Sequence, residues 1–135
     1  MNKLTYRSHS VGQNAFHFVW KPKYASKFLK YESVNSVCQG SLRLIAHQKN
    51  CKIYELQVMQ DHIHLFVELP PTLCVSQAFQ YFKGISSRIL RRRFKFLTKI
   101  STIWSKGKFY RSVGNVSFQT IENYIRESQG EWAYS

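Results

Sequence analysis

Acidic residues are scarce in this sequence: 7 Asp and Glu stand against 20 Lys and Arg across 135 residues, leaving a formal net charge of +13. That surplus exceeds what solubility requires and concentrates polyanions by releasing their condensed counterions. Nucleic acid is therefore the leading partner, although charge alone does not name the chemistry. Cysteine is also sparse. Cys38, Cys51 and Cys74 are odd in number, widely spaced and without any Cys-x-x-Cys pair, which argues against a disulfide framework or a zinc ribbon and reads as reduced, cytoplasmic thiols. No apolar run approaches the ~20 residues of a membrane span. The segment from Met1 to Ala15 is polar and lacks the apolar core of a signal peptide, so a soluble, intracellular protein with no membrane partner is expected. Internal repeats, low-complexity tracts and linkers are missing too, and one domain over residues 1–135 is expected.

What is present is globular: 44% hydrophobic and 16% aromatic residues argue for a chain that folds rather than for a disordered basic tail. Ala15 to Trp20 is a bulky, partly alternating run ended by Lys21-Pro22, which suits a first strand. From Ser33, apolar and small residues at Val34, Cys38, Ser41, Leu42 and Ile45 predict a helix to about Gln48, despite the cost of Gly40. Cys51 to Met59 and His62 to Leu69 are strand-like around Gln60-Asp61, which implies an antiparallel hairpin. Ser76 to Phe94 predicts a second amphipathic helix with Ala78, Phe82, Ile85 and Ile89 on its core stripe. A fourth strand is expected at Phe109 to Val113, and a last helix from near Ser117 to a Gly130 cap. This order is that of an α+β, ferredoxin-like (RRM-like) antiparallel sheet with packed helices. RNA-recognition modules share it, so the fold alone names no function.

Chemistry is concentrated in His62-Ile63-His64. Side chains alternate along a strand, so both imidazoles point one way, ~7 Å apart by ideal geometry, while Ile63, Leu65, Val67 and Leu69 face the core. Such a pair on an exposed strand face can chelate a metal or grip a phosphate, with Asp61 as a nearby oxygen ligand; it can equally be two surface or hydrogen-bonded histidines. Basic residues are densest at Lys83, Arg88, Arg91, Arg92 and Arg93. Lys106, Lys108 and Arg111 accompany Trp104, Phe109 and Tyr110. Cations that follow a phosphate backbone and aromatic faces that stack on unpaired bases form a single-strand binding surface; the alternative is a solvated helix face plus core aromatics.

The stretch Val58-Met59-Gln60-Asp61-His62-Ile63-His64-Leu65-Phe66-Val67, followed by Pro70-Pro71, resembles the His-hydrophobic-His (HUH) strand of small single-tyrosine transposases, TnpA type, from bacterial and archaeal insertion sequences. The resemblance extends to Phe16-His17-Phe18-Val19-Trp20-Lys21-Pro22-Lys23-Tyr24, Phe82-Lys83-Gly84-Ile85-Ser86-Ser87-Arg88, Ile103-Trp104-Ser105 and Ser112-Val113-Gly114-Asn115-Val116. It implies a nucleophilic tyrosine on the last helix, where Tyr124-Ile125 followed by Gln129 matches the family segment. The residues alone do not choose among eight tyrosines, and Tyr124 also suits packing beside Ile121 and Ile125. The family's metal-holding glutamine usually lies four residues after the tyrosine, where this chain has Ser128. Gln129 is one step on, about 100° around a helix, so Gln129, Ser128, Glu127 and Asp61 all remain candidate third ligands.

By this resemblance, His62, His64 and Gln129 hold a divalent metal, Mg2+ or Mn2+, and Tyr124 captures a 5′-phosphate of single-stranded DNA with hairpin ends. The chain is then a transposase that cuts and rejoins strands through a 5′-phosphotyrosine. A homodimer is implied, in which the tyrosine helix of one subunit can complete the other's site. Three alternatives stay open: a domesticated relative that processes chromosomal palindromic repeats, a hydrolytic nuclease, and a non-catalytic module that binds single strands.

Overall fold

The computed structural model describes residues 14–113. Tyr124, Gln129 and the expected last helix lie outside the described residues. Four strands, β1 (Ala15–Trp20), β2 (Lys52–Val58), β3 (Ile63–Glu68) and β4 (Phe109–Ser112), alternate with two helices, α1 (Glu32–Gln48) and α2 (Val75–Arg93). The sheet has the order β2-β3-β1-β4, with every neighbouring pair antiparallel. The expected α+β, ferredoxin-like arrangement is therefore present, and the strand bounds differ from the expected ones by no more than a residue or two.

Each boundary has a local cause. Helix α1 closes through Asn50 at a left-handed φ of 58°, and Cys51 N–H returns to Ala46 O at 2.8 Å. Asparagine tolerates that conformation, and the bond satisfies an otherwise unpaired carbonyl of the last turn. At the start of α2, Cys74 N–H donates to Gln77 Oε1 at 3.1 Å. Strand β1 continues past its end through backbone bonds from Lys23 N–H to Ile103 O and from Ser105 N–H to Lys21 O, each 2.8 Å. These bonds pin the 103–105 segment to the sheet.

Both helices cover one face of the sheet. There, Phe79 of α2 stacks on Phe18 at 4.2 Å between ring centroids and meets Trp20 edge-on, and Phe18, Trp20, Ile63, Leu65 and Val67 join Val34, Cys38, Leu42 and Ile45 in one buried core. The buried stripe of α2 is Ala78, Phe79, Phe82, Ser86 and Leu90, which corrects the expected stripe: Ile85 and Ile89 are only partly buried. A serine occupies the core because its hydroxyl accepts the indole N–H of buried Trp104 at 3.1 Å. Apolar periodicity has no means of anticipating that polar pairing.

The opposite face differs from expectation. Ala15, His17, Val19, His64 and Phe66 point away from the helices and are nonetheless buried, as are Tyr54 and His62. Strands β1 and β3 are the two central strands and are buried on both faces, and bulky residues accordingly occupy both parities of Ala-Phe-His-Phe-Val-Trp. The histidine pair thus sits on a buried face, not the exposed one expected.

Candidate functional site

His64 lies in β3, whereas His62 precedes the strand in the turn, its carbonyl accepting Met59 N–H at 2.8 Å. The two ring centroids are 4.7 Å apart and the planes nearly perpendicular, at 82°. The two imidazoles are neighbours, as expected, but only His64 stands in the strand, where both were expected.

Each imidazole is held through its Nδ1. His62 Nδ1–H donates to Asp61 Oδ1 at 2.7 Å, so Asp61 touches the outer nitrogen of the ring. His64 Nδ1 shares a 2.9 Å hydrogen bond with Nε2 of His17, which reaches across from β1, two positions from the direct partner of His64, Val19. The His17 ring in turn lies flat on Phe66, 4.2 Å away and tilted by 8°. Nε2 of His62 and Nε2 of His64 are buried and have no hydrogen-bond partner among the described residues. A buried polar nitrogen without a partner costs free energy, and two such nitrogens on rings whose centroids are 4.7 Å apart are a pair of nitrogen donors suited to a divalent ion.

Burial makes the His17 and His64 rings poor bases. Desolvation, then the neighbouring His64 and Arg111, lower the pKa of His17 to about 3. Desolvation, then His62, lower that of His64 to about 4. His64 is consequently neutral, the state a metal requires, across the physiological range. Among the described residues, no group of three or more His, Cys, Asp or Glu could hold a metal by itself, so the imidazole pair needs further ligands. Gln57, opposite His64 on β2, and Arg111, opposite His17 on β4, share the histidine face.

The basic residues of α2 are not brought to this face. Lys83 is half-buried, and its ammonium donates to Ser105 O at 2.6 Å and Gly107 O at 3.2 Å. Desolvation and the nearby Lys108 lower its pKa. Arg91 donates from Nη2 to Ser101 O at 2.7 Å. Arg88 and Arg92 are exposed. All four lie on the helical layer, on the other side of the sheet from the imidazoles. Several segments that carried the resemblance therefore serve architecture: Trp104 is bonded to Ser86 and edge-on to Trp20, and Lys83 clamps the chain just beyond it.

Sequence reasoning missed His17 as a site residue. Its signal was a histidine at the same strand parity as Ala15 and Val19 in an otherwise apolar run. Only the cross-strand register identifies its partner.

The sequence matches the family model described as "Transposase IS200 like" over residues 10–128. It is 33% identical over 128 residues to the transposase for insertion sequence element IS200 of Salmonella typhimurium, covering 92% of this chain and 82% of that relative. It is 27% identical over 122 residues to the ISDra2 transposase TnpA of Deinococcus radiodurans, covering 88% and 86%. In structure it is similar to a candidate transposase of Deinococcus radiodurans R1, with a TM-score of 0.67 at 24% identity over 88% of this chain and 91% of that one. It also shares its fold with a REP-associated tyrosine transposase bound to a REP hairpin, at a TM-score of 0.62 and 13% identity over 92% and 72%.

Proposed function

Because the chain belongs to the IS200-like transposase family, we propose that it cuts and rejoins single-stranded DNA at hairpin-bearing element ends, with Tyr124 as nucleophile and His62 and His64 as metal ligands. The observation that carries this reading is the pair of buried imidazoles whose Nε2 nitrogens have no partner among the described residues. Gln129 is the third ligand that the family pattern suggests. A divalent ion, Mg2+ or Mn2+, bound there would supply charge neutralisation at the scissile phosphate and orient it.

The protein's own groups account for the remainder. His64 stays neutral, and the two rings are held by Asp61 and His17, so both are already oriented when phosphate arrives. The Tyr124 phenol, with a reference pKa of ~10, loses its proton as its oxygen bonds to phosphorus. The bond from phosphorus to the 3′-oxygen breaks, and that oxygen takes up a proton. The resulting phosphotyrosine conserves the ester, so a second 3′-hydroxyl can displace the tyrosine and rejoin strands without ATP. The +13 charge supports a polyanionic partner. We propose a homodimer in which the Tyr124 segment of one subunit can complete the other's histidine site.

The test is a cleavage assay on single-stranded DNA from the flanks of the gene, resolved under denaturing conditions. Wild type should form a covalent 5′-phosphate adduct that maps to Tyr124, and Tyr124→Phe should lose adduct and cleavage together. Cleavage without any adduct would mean a hydrolytic nuclease, and an adduct on Tyr81 or Tyr110 would reassign the nucleophile.

A further inference from the structure

We propose that His17 is a positioning residue for the metal site: by accepting the Nδ1–H of His64 at its own Nε2, it fixes the His64 tautomer that aims a bare Nε2 into the site. The inference rests on the reading of His62 and His64 as metal ligands and adds a group to which no role in this site has been assigned.

Valence decides the proton positions. An imidazole that gives its Nε2 lone pair to a metal must carry its proton on Nδ1 if it is to stay neutral. Nδ1 of His64 lies 2.9 Å from a single described partner, Nε2 of His17. For that bond to coexist with a metal on His64, His17 Nε2 must present a lone pair and His17 must carry its own proton on Nδ1. The opposite arrangement, His17 donating to His64, would place a proton on His64 Nε2 and block the site. The two tautomers of this pair are therefore a ligand-competent and a ligand-incompetent state.

The surroundings hold His17 in place for this task. It stands on central strand β1, is fully buried, and lies flat on Phe66 at 4.2 Å, with His64 tilted 22° from it at 5.1 Å between centroids. The stack fixes the plane of the ring, and the register His17↔Phe66 and Val19↔His64 fixes its height along the strand. His62 receives parallel treatment from Asp61 at 2.7 Å. The two ligands are thus oriented by different acceptors: a carboxylate for one, and for the other a neutral ring that adds no negative charge beside the phosphate.

The experiment is nitrogen-15 NMR of the imidazoles in the full-length, metal-free protein, together with Mn2+ titration followed by electron paramagnetic resonance. In wild type, His64 should carry its proton on Nδ1. His17→Phe keeps the ring stacked on Phe66 and removes the acceptor; it should weaken Mn2+ binding about 10- to 100-fold and release His64 to the other tautomer. His17→Gln, whose amide oxygen can accept the same proton, should restore binding to within a few-fold. A wild-type spectrum with His64 protonated at Nε2, or His17→Phe binding Mn2+ as wild type does, overturns the inference. If wild type binds no Mn2+ at all, the metal reading of the pair fails instead, and the nitrogen spectra still decide whether His17 sets the tautomer. Should His17→Phe not fold, His17→Gln and the wild-type spectrum decide alone.

Discussion

The carboxylate of Asp61 lies 2.7 Å from Nδ1 of His62, so it grips the ring from the side away from the free Nε2. An outer carboxylate orients a ligating imidazole and raises its basicity, and losing one typically costs 10- to 100-fold in metal affinity. Asp61→Asn should therefore weaken Mn2+ binding by about 10-fold while leaving hairpin binding in metal-free buffer unchanged. Unaltered Mn2+ affinity in calorimetry would show that Asp61 has no such part.

Removing an imidazole itself should be more severe. His62→Ala or His64→Ala is expected to lower metal-dependent cleavage by about 10²-fold or more, the scale on which a single transition-state contact acts. Gel-shift affinity for the hairpin should persist, because the exposed Arg88 and Arg92 remain. Full cleavage by His62→Ala would remove this residue from the site.

Acid should destabilise the fold from near neutrality downward. In the unfolded chain, His17 and His64 take up protons around the ordinary 6.5, while in the folded chain they resist until about 3 and about 4. Between those values the unfolded state binds more protons, so stability rises with pH and is lost as pH falls from 6.5 toward 4. Denaturant titrations at pH 6.5 and pH 5 should differ by roughly 1–2 kcal/mol for each imidazole. His17→Phe should show a shallower slope than wild type, and an equal slope would refute the assignment.

Helix α1 contains a removable cost. Gly40 is exposed, and a Cβ built there meets nothing within 4 Å, so the backbone freedom of glycine opposes folding with no packing reason to keep it. Gly40→Ala should stabilise the protein by about 0.5–1 kcal/mol, read as a rise in melting temperature. A fall would mean that something else occupies that space.

The fold was legible because strand and helix periods were clean: Val34, Cys38, Leu42 and Ile45 all point inward, as do Ile63, Leu65 and Val67. The proximity of His62 and His64 was expected from strand alternation, although His62 stands in the turn just before β3. Three features were not. Burial of the histidine face was not legible, because His62-Ile63-His64 reads equally as a strand with one exposed side, whereas both imidazoles are buried. Ser86 enters the core only because Trp104, 18 positions away, needs an acceptor. His17 gains its meaning from register with a strand some fifty residues later. Tyr124 and Gln129 were identified by resemblance, since spacing alone does not distinguish them from other residues of their kind.

The Ser86 bond should be costly to break. Trp104 is buried and its indole N–H donates to Ser86 Oγ at 3.1 Å, so Ser86→Ala strands a buried donor. A loss of roughly 1–3 kcal/mol is expected, measured by denaturation, with the fluorescence of the protein reporting a changed tryptophan environment. Ser86→Thr keeps the hydroxyl and should recover most of the hydrogen-bond contribution. Equal stability of the alanine variant and wild type would show that the indole finds another acceptor.

Finally, Lys83 and Arg88 should separate into different roles although the sequence groups them as one basic segment. Lys83 directs its ammonium at the carbonyls of Ser105 and Gly107 and is half-buried, so its charge is engaged in holding a loop. Arg88 is exposed one turn further on, where a phosphate can reach it. Hydrogen bonds from a charged donor contribute about 1.5–3 kcal/mol, whereas a phosphate contact changes the slope of log affinity against log salt by roughly 0.7 to 0.9 per charge. Lys83→Met should therefore lower the melting temperature and leave that slope nearly unchanged for hairpin DNA. Arg88→Gln should leave the melting temperature in place and reduce the slope by close to one contact. The two measurements together exclude a common cause, because a general loss of fold would move both in both variants. If Lys83→Met instead flattens the salt dependence without loss of stability, its ammonium leaves the loop to bind DNA, and the clamp is not its function.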